Sequence, residues 1–224
     1  MDPEPTINKT DRIIYFDYLR VAAIFAIIMV HVSAQNWNAV DVNSLKWQVF
    51  NCYDGLLRWG SSNFVMISGA LFLSRNIPLN KIYSKYVLRL VIAFLVWSFI
   101  YSLFEFEKGP IVNRIVLIVQ GHYHMWFILM IIGLYICLPF ISLFTQNNNR
   151  IRYYLLLWLI FAFLIPEVVL LVGDFGSETV KQIVNAANKS VAYMKMNLVI
   201  GYAGYFVLGY YLNNITLERK HRKL

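Results

Sequence analysis

Charge is the scarce quantity in this chain: Asp, Glu, Lys and Arg make up 14% of its 224 residues, against 59% that are hydrophobic. A soluble domain of that length has no interior large enough for so much apolar surface, so a polytopic membrane protein is expected instead. Cysteine is nearly missing. Cys52 and Cys137 lie in or beside apolar stretches and make neither a disulfide framework nor a metal-ligand pattern, so both read as packing residues and no metal site is expected. The glycines nowhere form a strand-to-helix phosphate loop, which sets aside the dinucleotide and P-loop fingerprints. Low-complexity tracts, a clear internal repeat and a polar stretch long enough for a soluble domain are also missing. A net charge of +8 would suggest nucleic acid in a soluble protein. Here the basic residues flank apolar segments, which is the topogenic pattern of membrane proteins, and no nucleic-acid partner is expected.

What the chain does have is apolar length. Six segments stand out, at residues 13–34, 52–73, 86–104, 123–144, 153–172 and 193–212, which predicts an all-α transmembrane bundle of about six spans. The first segment is too long for a signal peptide and lacks a small-residue cleavage pattern after it. Residues 111–120 are apolar but too short to span, and are expected to be re-entrant or interfacial. Val180, Ile183, Val184 and Ala187 follow helical spacing, which predicts a short amphipathic helix on the surface. Lys9, Arg12 and Arg20, then Arg75, Lys81, Lys85 and Arg89, then Arg150 and Arg152, and finally the ERKHRKL tail fall on one side of an alternating topology. They outnumber the basic residues of the other side, so both termini are expected in the cytoplasm. The organisation expected is a short cytoplasmic tail at 1–12, one transmembrane domain at 13–212 and a basic cytoplasmic tail at 213–224.

The first segment carries three ionisable residues, Asp17, Arg20 and His31. At about 100° per residue, an offset of eleven closes about three turns, so Arg20 and His31 share a face about 16 Å apart along the axis. Asp17 sits one turn before Arg20, within pairing reach. Such a stripe is costly in a membrane helix unless it faces protein or water. Two readings follow: a functional stripe, or an Arg–Asp pair snorkelling at one end with an interfacial His at the other. His122 and His124 fall at the outer end of the fourth segment, near the expected depth of His31. Lys85 and Arg89 lie four apart on the cytoplasmic side, at the level of Arg20.

The residues resemble the acyltransferase 3 family of membrane proteins, which includes O-acetyltransferases of bacterial surface polysaccharides. The first block is FDYLRVAAIFAIIMVH at 16–31, with Asp, Arg, and a His eleven after the Arg. FVMISGALFL at 64–73 is similar to the family's F-x-I-S-G segment, and YHMWFILMIIGLYICLPF at 123–140 to its H-x-W-F helix ending in proline. GYFVLGYYL at 204–212 is similar to a glycine–aromatic span. There are two departures. The chain stops after six segments where family members commonly have more, and Gly60-Ser61-Ser62-Asn63 replaces an apolar lead-in to the second block.

The resemblance implies transfer of an acyl group, most often acetyl, from cytoplasmic acyl-CoA to a hydroxyl of a cell-surface glycan or its lipid-linked precursor, in the bacterial plasma membrane. No permanently bound cofactor is expected, and acyl-CoA serves as donor substrate. His31 is implied as the general base, since imidazole exchanges protons near neutrality. Arg20, held by Asp17, would contact CoA or order the helix of His31. His124 would hydrogen-bond the substrate or the acyl carbonyl, beside Trp126. Lys85 and Arg89 would gather CoA phosphates, although the positive-inside rule explains them equally well. Two other classes stay open: a proton-coupled transporter or flippase that uses the same stripe as its pathway, and an inactive membrane subunit. Self-association or a partner chain would be two ways to supply later spans.

Overall fold

The computed structural model describes residues 14–37, 39–105, 111–193 and 201–214. Most of the expected tails at 1–12 and 213–224, and residues 194–200 of the sixth expected segment, lie outside them. Among the described residues there is no strand. Four helical stretches among the described residues are long and apolar enough to cross a bilayer: Ile14–Gln35, Leu79–Phe104, Ile111–Ile136 and Asn148–Val169. Leu95, Val96, Trp97 and Phe99 are about half exposed, the arrangement expected where lipid, not water, covers the surface. The protein is an all-α membrane bundle. It divides into two compact units, Met1–Phe64 and Val65–Leu224.

In the first unit, helix α1 (Ile14–Trp37) packs on α2 (Leu45–Leu57). The connection is built by Asp41 and Ser44. Asp41 Oδ1 accepts from Asn43 N at 3.0 Å, and Ser44 Oγ donates to the Asp41 carbonyl at 2.6 Å while accepting from Trp47 N as the N-cap of α2. This cap starts the helix at Leu45, seven residues before the apolar segment expected at 52, because LKWQVFN is too polar to register as a span. Phe16, Ala23, Ala26 and Ser33 are the buried residues of α1. Their spacing of seven, three and seven makes one seam, and its small side chains allow close approach. Ser33 Oγ donates to the Phe50 carbonyl at 2.7 Å across that seam.

Helix α3 (Trp59–Leu73) follows α2 after a joint at Arg58. Its start also lies on α1: a Cβ at Gly60 would stand 3.0 Å from the Ala23 carbonyl oxygen, and Asn63 Nδ2 donates to the Leu19 carbonyl at 3.2 Å. The polar Gly60–Asn63 lead-in, unexpected from the family resemblance, is therefore used for backbone-level contact with α1.

The second unit takes up the end of α3 and continues through α4 (Leu79–Lys81), a π-helical stretch (Ile82–Val87) and α5 (Leu88–Glu105). This run begins at Leu79 instead of the expected 86. Ser84 Oγ donates to the Asn80 carbonyl at 2.7 Å, competing with the backbone for that acceptor just where the helix widens. Then come α6 (Ile111–Gln120), a 3-10 turn (Tyr123–Met125), α7 (Trp126–Ile136), α8 (Leu138–Phe144) and α9 (Asn148–Leu159). A π-helical turn (Ile160–Leu164), α10 (Ile165–Phe175), α11 (Glu178–Tyr193) and α12 (Ala203–Asn214) complete it. The π turn precedes Pro166, whose ring would clash with the carbonyl four residues back in a regular helix. Helix α11 covers the expected amphipathic segment and packs on α10.

The core of this unit joins Val65 and Ile82 with Ile131, Leu134 and Leu138, Ile151 and Tyr154, and Phe206 and Val207. Helices α3 and α12 cross backbone to backbone. A Cβ at Gly69 would fall 1.8 Å from the Phe206 carbonyl oxygen, and one at Gly209 would fall 2.0 Å from that of Met66. Each glycine lies over the carbonyl three residues before the other, so neither position accepts a side chain without moving a helix.

Candidate functional site

Two sets of polar side chains stand out, one in each unit. On α1, Arg20 Nη1 donates to Asp17 Oδ1 at 2.8 Å, with the two side chains 37% and 31% exposed. His31 is half-buried on the same helix. By the 100° rotation per residue, Arg20, His31 and Asp17 lie about 40°, 60° and 100° round from Phe16 at the edge of the buried seam. The stripe therefore borders the packed face, with all three residues half-buried. The i,i+3 carboxylate offsets locally the cost of placing the guanidinium in an apolar helix.

In the second unit the polar set sits at a break. Helix α6 ends at Gly121, whose φ of 71° is a left-handed conformation that glycine adopts without strain. Its N–H donates to the Leu117 carbonyl at 2.9 Å, and a Cβ there would come within 2.8 Å of the Phe94 ring on α5. His122 follows in extended conformation, φ −67° and ψ 150°, and the 3-10 turn closes with Met125 N donating to the His122 carbonyl at 2.8 Å. Ser98 Oγ lies 3.8 Å from Met125 Sδ beneath the break.

Residues 111–120 are expected to be re-entrant or interfacial, with a span starting at 123. The structure instead runs α6 through this break into α7 as one apolar stretch, Ile111–Ile136, with α5 packed on both. The histidines thus fall inside the stretch and not at its mouth.

The break brings His122 and His124 together. Their Nδ1 atoms are hydrogen-bonded to each other, with ring centroids 4.2 Å apart. In a regular helix residues two apart point to nearly opposite sides, so this pair depends on His122 leaving helical geometry. Tyr101 of α5 stacks on His122 at 4.6 Å and 26° and meets His124 edge-on at 5.0 Å and 79°. Tyr123 meets the His124 ring at 5.3 Å and 89°.

The remaining predicted residues are placed separately. Lys85 lies in the π-helical stretch and Arg89 in the first turn of α5, both exposed. Arg89 precedes Tyr101 by twelve residues, about 18 Å of helix, so these cations and the histidine pair occupy opposite ends of α5. Trp126 is 44% exposed, with its ring 5.6 Å from Tyr202 of the α11–α12 connection. Asp17, Arg20 and His31 belong to the first unit; Lys85, Arg89, His124 and Trp126 belong to the second.

Sequence reasoning gave His122 no role and missed Tyr101 and Asp54. The signal for the first was the H-x-H spacing, which acquires meaning only if the helix breaks there. Asp54 is 6% exposed and binds Arg58 through Nε at 2.7 Å and Nη2 at 2.6 Å. Arg58 thus closes an ion pair inside the second apolar segment, as its i,i+4 spacing from Asp54 allows.

A cleft of about 600 Å³ at the α8–α9 turn is lined by Leu143, Phe144, Arg150, Tyr153, Tyr154 and Leu157 among others. No predicted site residue reaches it. Its size alone does not make it the reaction site, since it contains neither a histidine nor a carboxylate.

A family model described as an acyltransferase domain matches residues 13–224. No curated protein and no solved structure matches the chain.

Proposed function

Because the chain belongs to the acyltransferase 3 family, we propose that this membrane acyltransferase carries an acyl group, acetyl in the simplest case, from acyl-CoA to a hydroxyl of a surface glycan or its lipid-linked precursor. The setting is the bacterial plasma membrane, with both chain termini in the cytoplasm. A hydroxyl is a weak nucleophile. It attacks the thioester carbonyl as a base removes its proton, the carbon–sulfur bond breaks, and the CoA thiolate leaves and is protonated. His31 is that base. Arg20, oriented by Asp17, contacts CoA or holds the helix of His31 in register, and Lys85 and Arg89 gather CoA phosphates. His124, with Trp126 beside it, hydrogen-bonds the acyl carbonyl or the acceptor.

One observation supports this assignment most: the paired Asp17–Arg20 and the half-buried His31 share one side of α1, beside the seam of the first unit. The break at Gly121 is the observation that favours a second reading, since transporters build their sites from interrupted helices.

Membranes carrying the chain, given radiolabelled acetyl-CoA, separate the two readings. Label in the glycan fraction, reduced on the order of 10²–10⁴-fold in His31→Ala, is expected of the enzyme. Label that persists at the wild-type rate in that variant removes His31 from the mechanism. Solute uptake without label transfer selects the transporter.

A further inference from the structure

We propose that His122 is a positioning residue for His124, coupling the tautomers of the two rings through the Nδ1–Nδ1 hydrogen bond while Tyr101 holds their planes. The inference rests on the acyl-transfer reading, in which His124 contacts the reacting groups, and adds a residue to which the family pattern gives no role.

The argument starts from proton counting. Two neutral imidazoles joined at Nδ1 share one proton, so one ring has its hydrogen on Nδ1 and a lone pair on Nε2. The other has a bare Nδ1 and carries its hydrogen on Nε2. Neither ring can change tautomer without the other. A lone His124 would divide its population between a form that donates from Nε2 and a form that accepts there, and only one of these suits a given role toward a carbonyl or a hydroxyl. Bonded to His122, it has its Nε2 role set together with that of His122, so one ring of the pair presents a donor and the other an acceptor before substrate arrives.

The local structure serves this arrangement at several points. Gly121 takes the left-handed turn that ends α6. His122 is extended, which turns its ring toward His124 and not to the opposite side. Tyr101 covers one ring face-on and the other edge-on, so neither ring can flip without disturbing the other contact. No other residues of the described chain show two imidazoles so joined.

The chain has four histidines, so selectively ¹⁵N-histidine-labelled protein in lipid nanodiscs gives a simple spectrum. A coupling across the hydrogen bond between the Nδ1 atoms of His122 and His124 is expected. It should vanish in His122→Phe, which keeps a ring against Tyr101 but has no proton to share. In the label-transfer assay His122→Phe should lower kcat on the order of 100-fold with the KM for acetyl-CoA unchanged. His122→Asn, whose amide reaches about the position of Nδ1, should recover most of the loss.

A residue needed only for packing would give the reverse order, with Phe tolerated and Asn impaired, and that result overturns the proposal. So does an active wild type without the coupling. Wild-type protein that shows the coupling but transfers no label overturns the acyl-transfer reading, and the catalytic role of the pair falls with it.

Discussion

The two histidine-bearing regions solve one problem by different means. Each must hold polar side chains in an apolar stretch, where a buried group without partners costs several kcal/mol. Helix α1 stays regular and places its polar groups at helical spacing, so Arg20 meets Asp17 one turn away and the seam of Ala23, Ala26 and Ser33 carries the packing. The α6–α7 stretch gives up regularity at Gly121 and places partners two residues apart, with Tyr101 as cover. A straight helix can bring together only residues three or four apart. A broken one reaches pairings that periodicity forbids, and the helix interruption must be stabilised by surrounding contacts.

The comparison can be broken most severely at His31. Its replacement by Ala should reduce label transfer by on the order of 10²–10⁴-fold, about 3–5 kcal/mol of transition-state stabilisation, while thermal unfolding of the purified protein barely moves. A large fall in melting temperature would make the stripe structural. Next is Arg20→Ala, which removes a charged hydrogen bond of about 1.5–3 kcal/mol. Activity should drop roughly tenfold or more, and Arg20→Ala/Asp17→Ala should lose little beyond the single variant if the two act together.

Gly121→Ala tests the other region. A left-handed Ala costs about 1–2 kcal/mol, and its Cβ would press on the Phe94 ring. Melting should fall by that amount, and the coupling between the histidines should weaken. An unchanged melting temperature together with an intact coupling would mean that the break does not need glycine.

Tyr101→Leu should cost about 0.5–1.5 kcal/mol and broaden the histidine signals without unfolding the protein. The smallest effect belongs to Gly55, which meets nothing within 4 Å on the helix opposite α1. Gly55→Ala should stabilise by roughly 0.5–1 kcal/mol through helix propensity, and a loss there would show that the α1–α2 face needs more room than it displays.

Much of α1 was legible in the sequence, because its content is periodic: Asp17 with Arg20, and Arg20 in line with His31, follow from 3.6 residues per turn. The close approach at Gly69 was also legible in kind, as a small residue in an apolar helix, although its partner on α12 was not. The joint at Arg58 was hidden because hydropathy averages across it, and its ion pair with Asp54 because the carboxylate lies within the same apolar segment. The apolar length of 111–120 was counted up to the break, and only the structure shows helix resuming at Trp126 to give a continuous apolar stretch, Ile111–Ile136.

By itself the sequence determined that the chain is helical, belongs in a membrane, and carries an Asp–Arg–His stripe on its first helix, since all three follow from composition and from a rotation per residue that local hydrogen bonding fixes. Only the tertiary structure decided that His122 and His124 face each other under Tyr101, and that Gly69 and Gly209 mark where two helices touch. Those contacts join residues whose relative directions depend on where a helix breaks or what crosses it, and no repeat along the chain encodes that.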